Sequence, residues 1–206
     1  MNKNRSISEL PVDSTRLCCN FVNTLYSWTG VDRYDFFQNY EAFIEWCEKL
    51  DIPDKRFMRS LLDHANKYPD EANRAMQKVR KSRLTIHDII SATANCDKKE
   101  ILAILPGVNN VMADSLSHIQ LEYTKNKFNI SFPKDDINLV SPLWIIGKSL
   151  YDLMTEDDVT RIRECPGCGW VFYDETKNGK RRWCNPLNCG TKDKMDRYRN
   201  RKMDAQ

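Results

Sequence analysis

The sequence predicts a mainly α protein: an N-terminal helical domain with a small β-ribbon over residues 1–158, then a treble-clef-like zinc finger of α+β type over residues 159–206. Three observations lead there. Apolar residues recur at helical spacing through most of the first 158 positions. One short stretch, Ile119 to Tyr123 and Phe128 to Phe132, alternates at the period of a strand instead. The last fifth holds Cys165, Cys168, Cys184 and Cys189 in the segment CPGCGWVFYDETKNGKRRWCNPLNCG, a spacing suited to one tetrahedral zinc ion.

In chain order, the first stripe is Leu17, Phe21, Val22 and Leu25, and the second is Phe43, Ile44, Trp46, Cys47 and Leu50. Pro53 suits the first helical position of a third element with a stripe of Phe57, Met58, Leu61 and Leu62. Pro69-Asp70 opens a fourth, which carries Met76 and Val79 and, if unbroken, Ile86 and Ile90. A short interruption is expected before the ribbon, which turns at Lys125-Asn126-Lys127. The most apolar helix, Leu139 to Met154, is the expected centre of the core, with Lys148 and Asp152 paired at i and i+4. Repeats, low-complexity tracts and a long linker are lacking, so the boundary after Glu156-Asp157-Asp158 is tight.

In the last segment the C-x2-C pair closes a knuckle. Trp170 to Asp174 reads as one arm of a hairpin, Asn178-Gly179 as its type I′ turn, and Arg181 to Cys184 as the returning arm, while Val159 to Arg163 could form a first strand. A helix follows Cys189, with Asp193 and Asp196 near its start and Arg197, Arg199, Arg201 and Lys202 behind them, the order a helix dipole favours. Four thiolates complete the coordination of a single structural Zn2+. Disulfides need an oxidising compartment, and the polar N-terminus has no signal-like apolar region, so a cytoplasmic location off the membrane is expected. Cys18, Cys19, Cys47 and Cys96 are scattered and read as buried free thiols.

Residues 165–201, with C-x2-C-G-W-x-F-x-D, R-R-W-C, C-G and a basic helix, resemble the CGNR zinc finger of bacterial proteins that also carry an N-terminal ABATE domain. Leu17-Cys18-Cys19-Asn20-Phe21-Val22-Asn23-Thr24-Leu25 resembles the opening signature of that domain. The resemblance implies a bacterial, stress-related transcription regulator. Where the family has Cys-Gly-Asn-Arg, this chain has Cys189-Gly190-Thr191-Lys192. Lysine keeps the charge but not the planar fork of arginine.

Charge is uneven. From residue 161 onward there are twelve Lys and Arg against six Asp and Glu; residues 1–160 hold twenty against twenty-three. Between Lys177 and Lys202 the excess is +8, and four thiolates with one Zn2+ offset only two of those charges. A compact positive module of this kind suits a phosphate backbone, so DNA is the expected partner. Lys180, Arg181, Arg182, Lys192, Lys194, Arg197, Tyr198 and Arg201 are the candidate contacts. A solvated or protein-binding basic face is the alternative. Met195 and Tyr198 are expected to pack on the finger itself, because a small module needs its few apolar residues as core.

No catalytic constellation appears: His64, His87 and His118 are dispersed, and no known nucleophile, phosphate-loop or zinc-protease motif is present, so an enzyme is not expected. Arg16, Asn20, Asn23 and Trp28 could line a small-ligand pocket, or the two amides could cross-link backbone. A lone finger reads few base pairs, so the helical domain is also expected to form a homodimer.

Overall fold

The computed structural model describes residues 5–30, 33–52 and 54–203. Its helices are α1 (Leu17–Val22), α2 (Tyr40–Lys49), α3 (Lys55–Lys67), α4 (Pro69–Ala94), α5 (Lys98–Ser117), α6 (Pro142–Thr155) and α7 (Thr191–Met203). Two antiparallel pairs complete it: β1 (Gln120–Thr124) with β2 (Lys127–Ser131), and β3 (Ile162–Glu164) with β4 (Val171–Tyr173). The mainly α architecture with a zinc finger at its carboxyl end is as the sequence predicts.

The organising element is α4, not α6. Pro69 occupies its first turn, where a missing N–H costs nothing, and the helix runs unbroken for 26 residues. Ala72, Ala75, Met76, Val79, Ile86, Ile89 and Ile90 are buried along it. Its length lets it touch α1, α2, α3, α5 and α6 as well as both strands of the finger. Beside it α1 buries all its residues except Leu17, and Phe21 meets Phe37 and Trp46 in an aromatic cluster that Phe43 completes. Arg83 of α4 is buried but paired, its guanidinium forked onto Asp35 at 2.7 and 2.5 Å with Thr24 Oγ1 at 3.0 Å.

The short interruption expected after α4 is instead a full helix, α5. Pro106-Gly107 reads as a breaker, since proline removes one ladder bond. The apolar spacing of Ile101, Ile104, Val108, Val111 and Met112 against the core outweighs that loss, and Asp97 caps the start by accepting from the Glu100 amide at 3.0 Å. Helices α5 and α6 approach so closely that a Cβ on Gly147 would lie 1.9 Å from Ser115 Oγ. The expected Lys148–Asp152 pair is present on α6. Pro53 lies outside the described residues; α3 begins at Lys55 behind Asp54, which caps it through the Phe57 amide.

The β1–β2 ribbon turns on two residues rather than three. Lys125 and Asn126 have φ of 52° and 60°, the left-handed pair of a type I′ turn. In the finger, β4 pairs with β3 and not with residues 181–184, which correct to an irregular return loop. Asp174 causes this: its buried carboxylate accepts from the Thr176 amide at 2.9 Å and the Arg181 amide at 2.8 Å, gathering the chain into a tight loop where a second arm would have run. The apolar core crosses position 158 without a gap, from Phe21 and Ile90 through Ile162 to Trp170, Val171 and Phe172.

Candidate metal centre

The knuckle is the turn between β3 and β4. Cys165 donates its amide to Trp170 O and receives the Gly169 amide on its carbonyl, both at 2.8 Å. Gly169 sits at φ 74°, and a Cβ there would meet Trp28 Cβ at 2.7 Å, so the position suits glycine on both counts. The other two sulfurs arrive on a second turn. Asn185 Oδ1 accepts from the amides of Leu187 and Asn188, winding residues Pro186–Gly190 into one wide turn that carries Cys189 and leads into α7. Trp183 covers this junction, its indole against Gly167 and Gly190.

All four sulfurs lie within 4.8 Å of one another, with Cys168 and Cys184 at 3.5 Å and Cys184 and Cys189 at 3.7 Å. A tetrahedral Zn2+ with Zn–S near 2.3 Å requires S···S edges of about 3.8 Å. The donor set and the edge length both fit that ion, and four protein ligands leave no open position. Thiols packed so closely cannot ionise independently: hydrogen bonding from Cys168 and its neighbours pulls Cys165 down, while Cys165 pushes Cys168 and Cys184 up. A divalent cation at the centre removes this conflict by favouring thiolate at every position.

Arg181 supports the site from below. Its guanidinium lies 4.4 Å from the Phe172 ring centroid and donates to the carbonyls of Trp183, Cys184 and Asp13. Burial opposes ionisation of Asp174, but the hydrogen bonds from Thr176 and the Arg181 amide win and hold its carboxyl below the usual range. Arg181 therefore fixes the loop that presents Cys184, while remaining half-exposed.

The finger is fastened to the helical body by its knuckle. Asn23, the residue that ends α1, exchanges two hydrogen bonds with the Val171 backbone, at 2.9 and 3.1 Å. Trp28 N donates to Cys168 O at 2.8 Å, and Trp170 Nε1 donates to Leu25 O at 2.7 Å. His87 stacks on Trp28 with ring centroids 3.6 Å apart and places Nε2 3.3 Å from Gly169 O. Burial pushes the His87 pKa below its ordinary value, so the neutral ring donates to that carbonyl. Ser91 of α4 and Asn95, which caps its C-terminus, donate to the Glu164 carboxylate of β3 at 2.6 and 2.7 Å.

Of the four residues considered for a ligand pocket, Asn23 and Trp28 belong to this clasp. Asn20 is closed onto the Ser14 backbone, and Arg16 is forked onto Asp157 at 2.5 and 2.7 Å. They form structural ties, the second of the two roles open to the amides. A cleft of about 770 Å³ lies elsewhere, between the N-terminal segment and the metal turn, and Asp13, Tyr26, Phe36, Trp170, Asn185 and Lys192 are among its walls. Sequence periodicity gives no signal for it, because loops build it.

The basic residues divide by surroundings. Lys180, Arg182, Lys192, Lys194, Arg197, Tyr198 and Arg201 are exposed. Arg197 pairs with Asp193 at 2.7 Å and Arg199 with Asp196 at 3.9 Å, within α7 itself. The expected packing of Met195 and Tyr198 is overturned: no α7 side chain is buried among the described residues, and these two are 51% and 58% exposed. Trp170, Val171 and Phe172 pack instead into the core shared with the helical body.

Residues 161–202 match the family model of the CGNR zinc finger, a span that contains all four cysteines and nearly all of α7. No curated protein matches the chain. Among the described residues, no helix is long and apolar enough to cross a membrane.

Proposed function

We propose that this chain is a cytoplasmic, non-enzymatic transcription regulator that binds DNA through the outward half of its zinc finger, with residues 1–158 acting as an ABATE-like regulatory domain. One observation carries the reading: α7 spends no side chain on packing, yet it holds six Lys and Arg on 13 residues. A helix held at one end by a metal, with its sides free and cationic, is suited to lie along or within a nucleic-acid groove. Lys194 and Arg201 lie among its exposed cations, and Tyr198, with Lys202 Nζ 5.0 Å from its ring centroid, offers a flat surface for stacking. Lys180 and Arg182 extend the positive surface on the return loop.

Fluorescence anisotropy with duplex DNA over a salt series tests the proposal. The binding constant should fall steeply with salt, and the double substitution Lys194→Ala with Arg201→Ala should flatten the logarithmic slope by about one per lost phosphate contact. An unchanged slope removes α7 from the interface. Binding indifferent to salt removes DNA.

A further inference from the structure

The β1–β2 ribbon is amphipathic in a way the body of the protein does not use. Opposite residues share a face, so the register places Leu121 with Ile130 and Tyr123 with Phe128 on one side, and Glu122 with Asn129 and Thr124 with Lys127 on the other. An alternating strand normally turns its apolar face to a core. Here Leu121, Tyr123, Phe128 and Ile130 are 70%, 63%, 73% and 51% exposed, and every residue from 120 to 130 is open to solvent. An isolated two-stranded hairpin is marginal in water and gains stability when its apolar face is covered. At the ribbon's root lies a groove of about 370 Å³, walled by Phe57, Met58, Ile130, Phe132 and Ile145 but also by the charged Glu122 and Lys134.

We propose that this face is a homodimer interface, in which the ribbon of one chain packs face to face on the ribbon of a second copy. Area supports it. A fully covered aromatic side chain buries roughly 150–250 Å² and an aliphatic one somewhat less, so two of each at their observed exposures offer on the order of 500 Å² per copy when wholly covered. Two copies reach about 1,000 Å², the lower threshold for a specific interface. The face is also self-complementary. Its aromatic pair, with rings 5.0 Å apart, stands at the tip and its aliphatic pair at the root. A two-fold axis through the ribbon's middle therefore lays each bulky tip on the partner's slimmer root. The face carries no charge, so it offers no ionic code for a foreign partner. This inference is independent of DNA binding, since its readout is the number of chains per particle.

Sedimentation velocity on the full zinc-loaded chain, in reductant and at micromolar concentrations, decides it. The wild type should sediment as a dimer and Tyr123→Lys with Phe128→Lys as a monomer of unchanged circular dichroism and zinc content. Lys127→Glu, on the polar face, should remain dimeric, which separates loss of the interface from loss of the ribbon. A monomeric wild type, a dimeric double variant, or equal dissociation by Lys127→Glu overturns the proposal.

Discussion

The two halves of the zinc finger live in different environments. From Ile162 to Asp174 the chain is mostly buried, with Val171 and Phe172 fully enclosed, backbone groups bonded to Asn23, Trp28 and His87 of the helical body, and the Trp170 indole N–H donating to Leu25 O. From Thr191 to Met203 no side chain is buried and the ion pairs are local to the helix. The metal site joins them: Cys165 and Cys168 come from the buried half, and Cys184 and Cys189 from the return loop and turn that lead into α7. The contrast teaches that the metal works as a bolt as well as a core: it ties an outward cationic helix to a knuckle that is itself part of the main fold.

Metal loss should produce the largest effect. A structural zinc of this type contributes about 10–16 kcal/mol of apparent binding energy at neutral pH, and a body that packs on the knuckle shares in its loss. Cys184→Ser, or chelation of the wild type, should lower the melting temperature of the whole chain rather than melt α7 alone. Calorimetry checks this, and an unchanged main transition would show that the body does not lean on the knuckle.

The clasp should come next. Asn23→Ala leaves the buried Val171 N–H and C=O without partners, at about 1–3 kcal/mol each. Gly169→Ala adds a methyl into Trp28 at a left-handed backbone position, for about 2–4 kcal/mol of strain and overpacking together. Denaturant titration should show both losses, with zinc still bound at native conditions. If either substitution proves neutral, the corresponding contact does not fasten the halves.

Substitutions on α7 should be the smallest in stability. Lys194→Ala and Arg201→Ala should each change unfolding free energy by less than about 0.5 kcal/mol, as exposed positions do, while altering the salt dependence of DNA binding. A melting shift comparable to that of Asn23→Ala would mean that α7 packs after all.

Legibility in the sequence followed the same division. The four metal ligands were readable because their spacing is a local property, and α7 because its charge order is. The clasp was not: Asn23 and Val171 are 148 positions apart, and nothing local announces that one amide will serve both polar groups of the other's backbone. The returning arm at residues 181–184 was misread because Asn178-Gly179 is a strong turn signal, whereas the buried Asp174 carboxylate that shapes the loop has no period. Helix α5 was not foreseen, since the stretch before the ribbon was expected to be a short interruption; it carries an internal proline, Pro106, and buries only Val108 and Ser115, so its apolar stripe is weak.

Hydrogen exchange on the full chain, with zinc and after chelation, tests the division most directly. With zinc bound, the amides of Cys165, Gly169 and Val171 should be protected to the same degree as those in α1 and α4, and the distal turns of α7 should exchange much faster. After chelation the β3–β4 amides and those of α1 and the adjoining stretch of α4 should lose protection together. Protection in α1 and α4 that stays intact while residues 161–202 open would contradict the account, since the finger would then be a separate module that merely rests on the helical body.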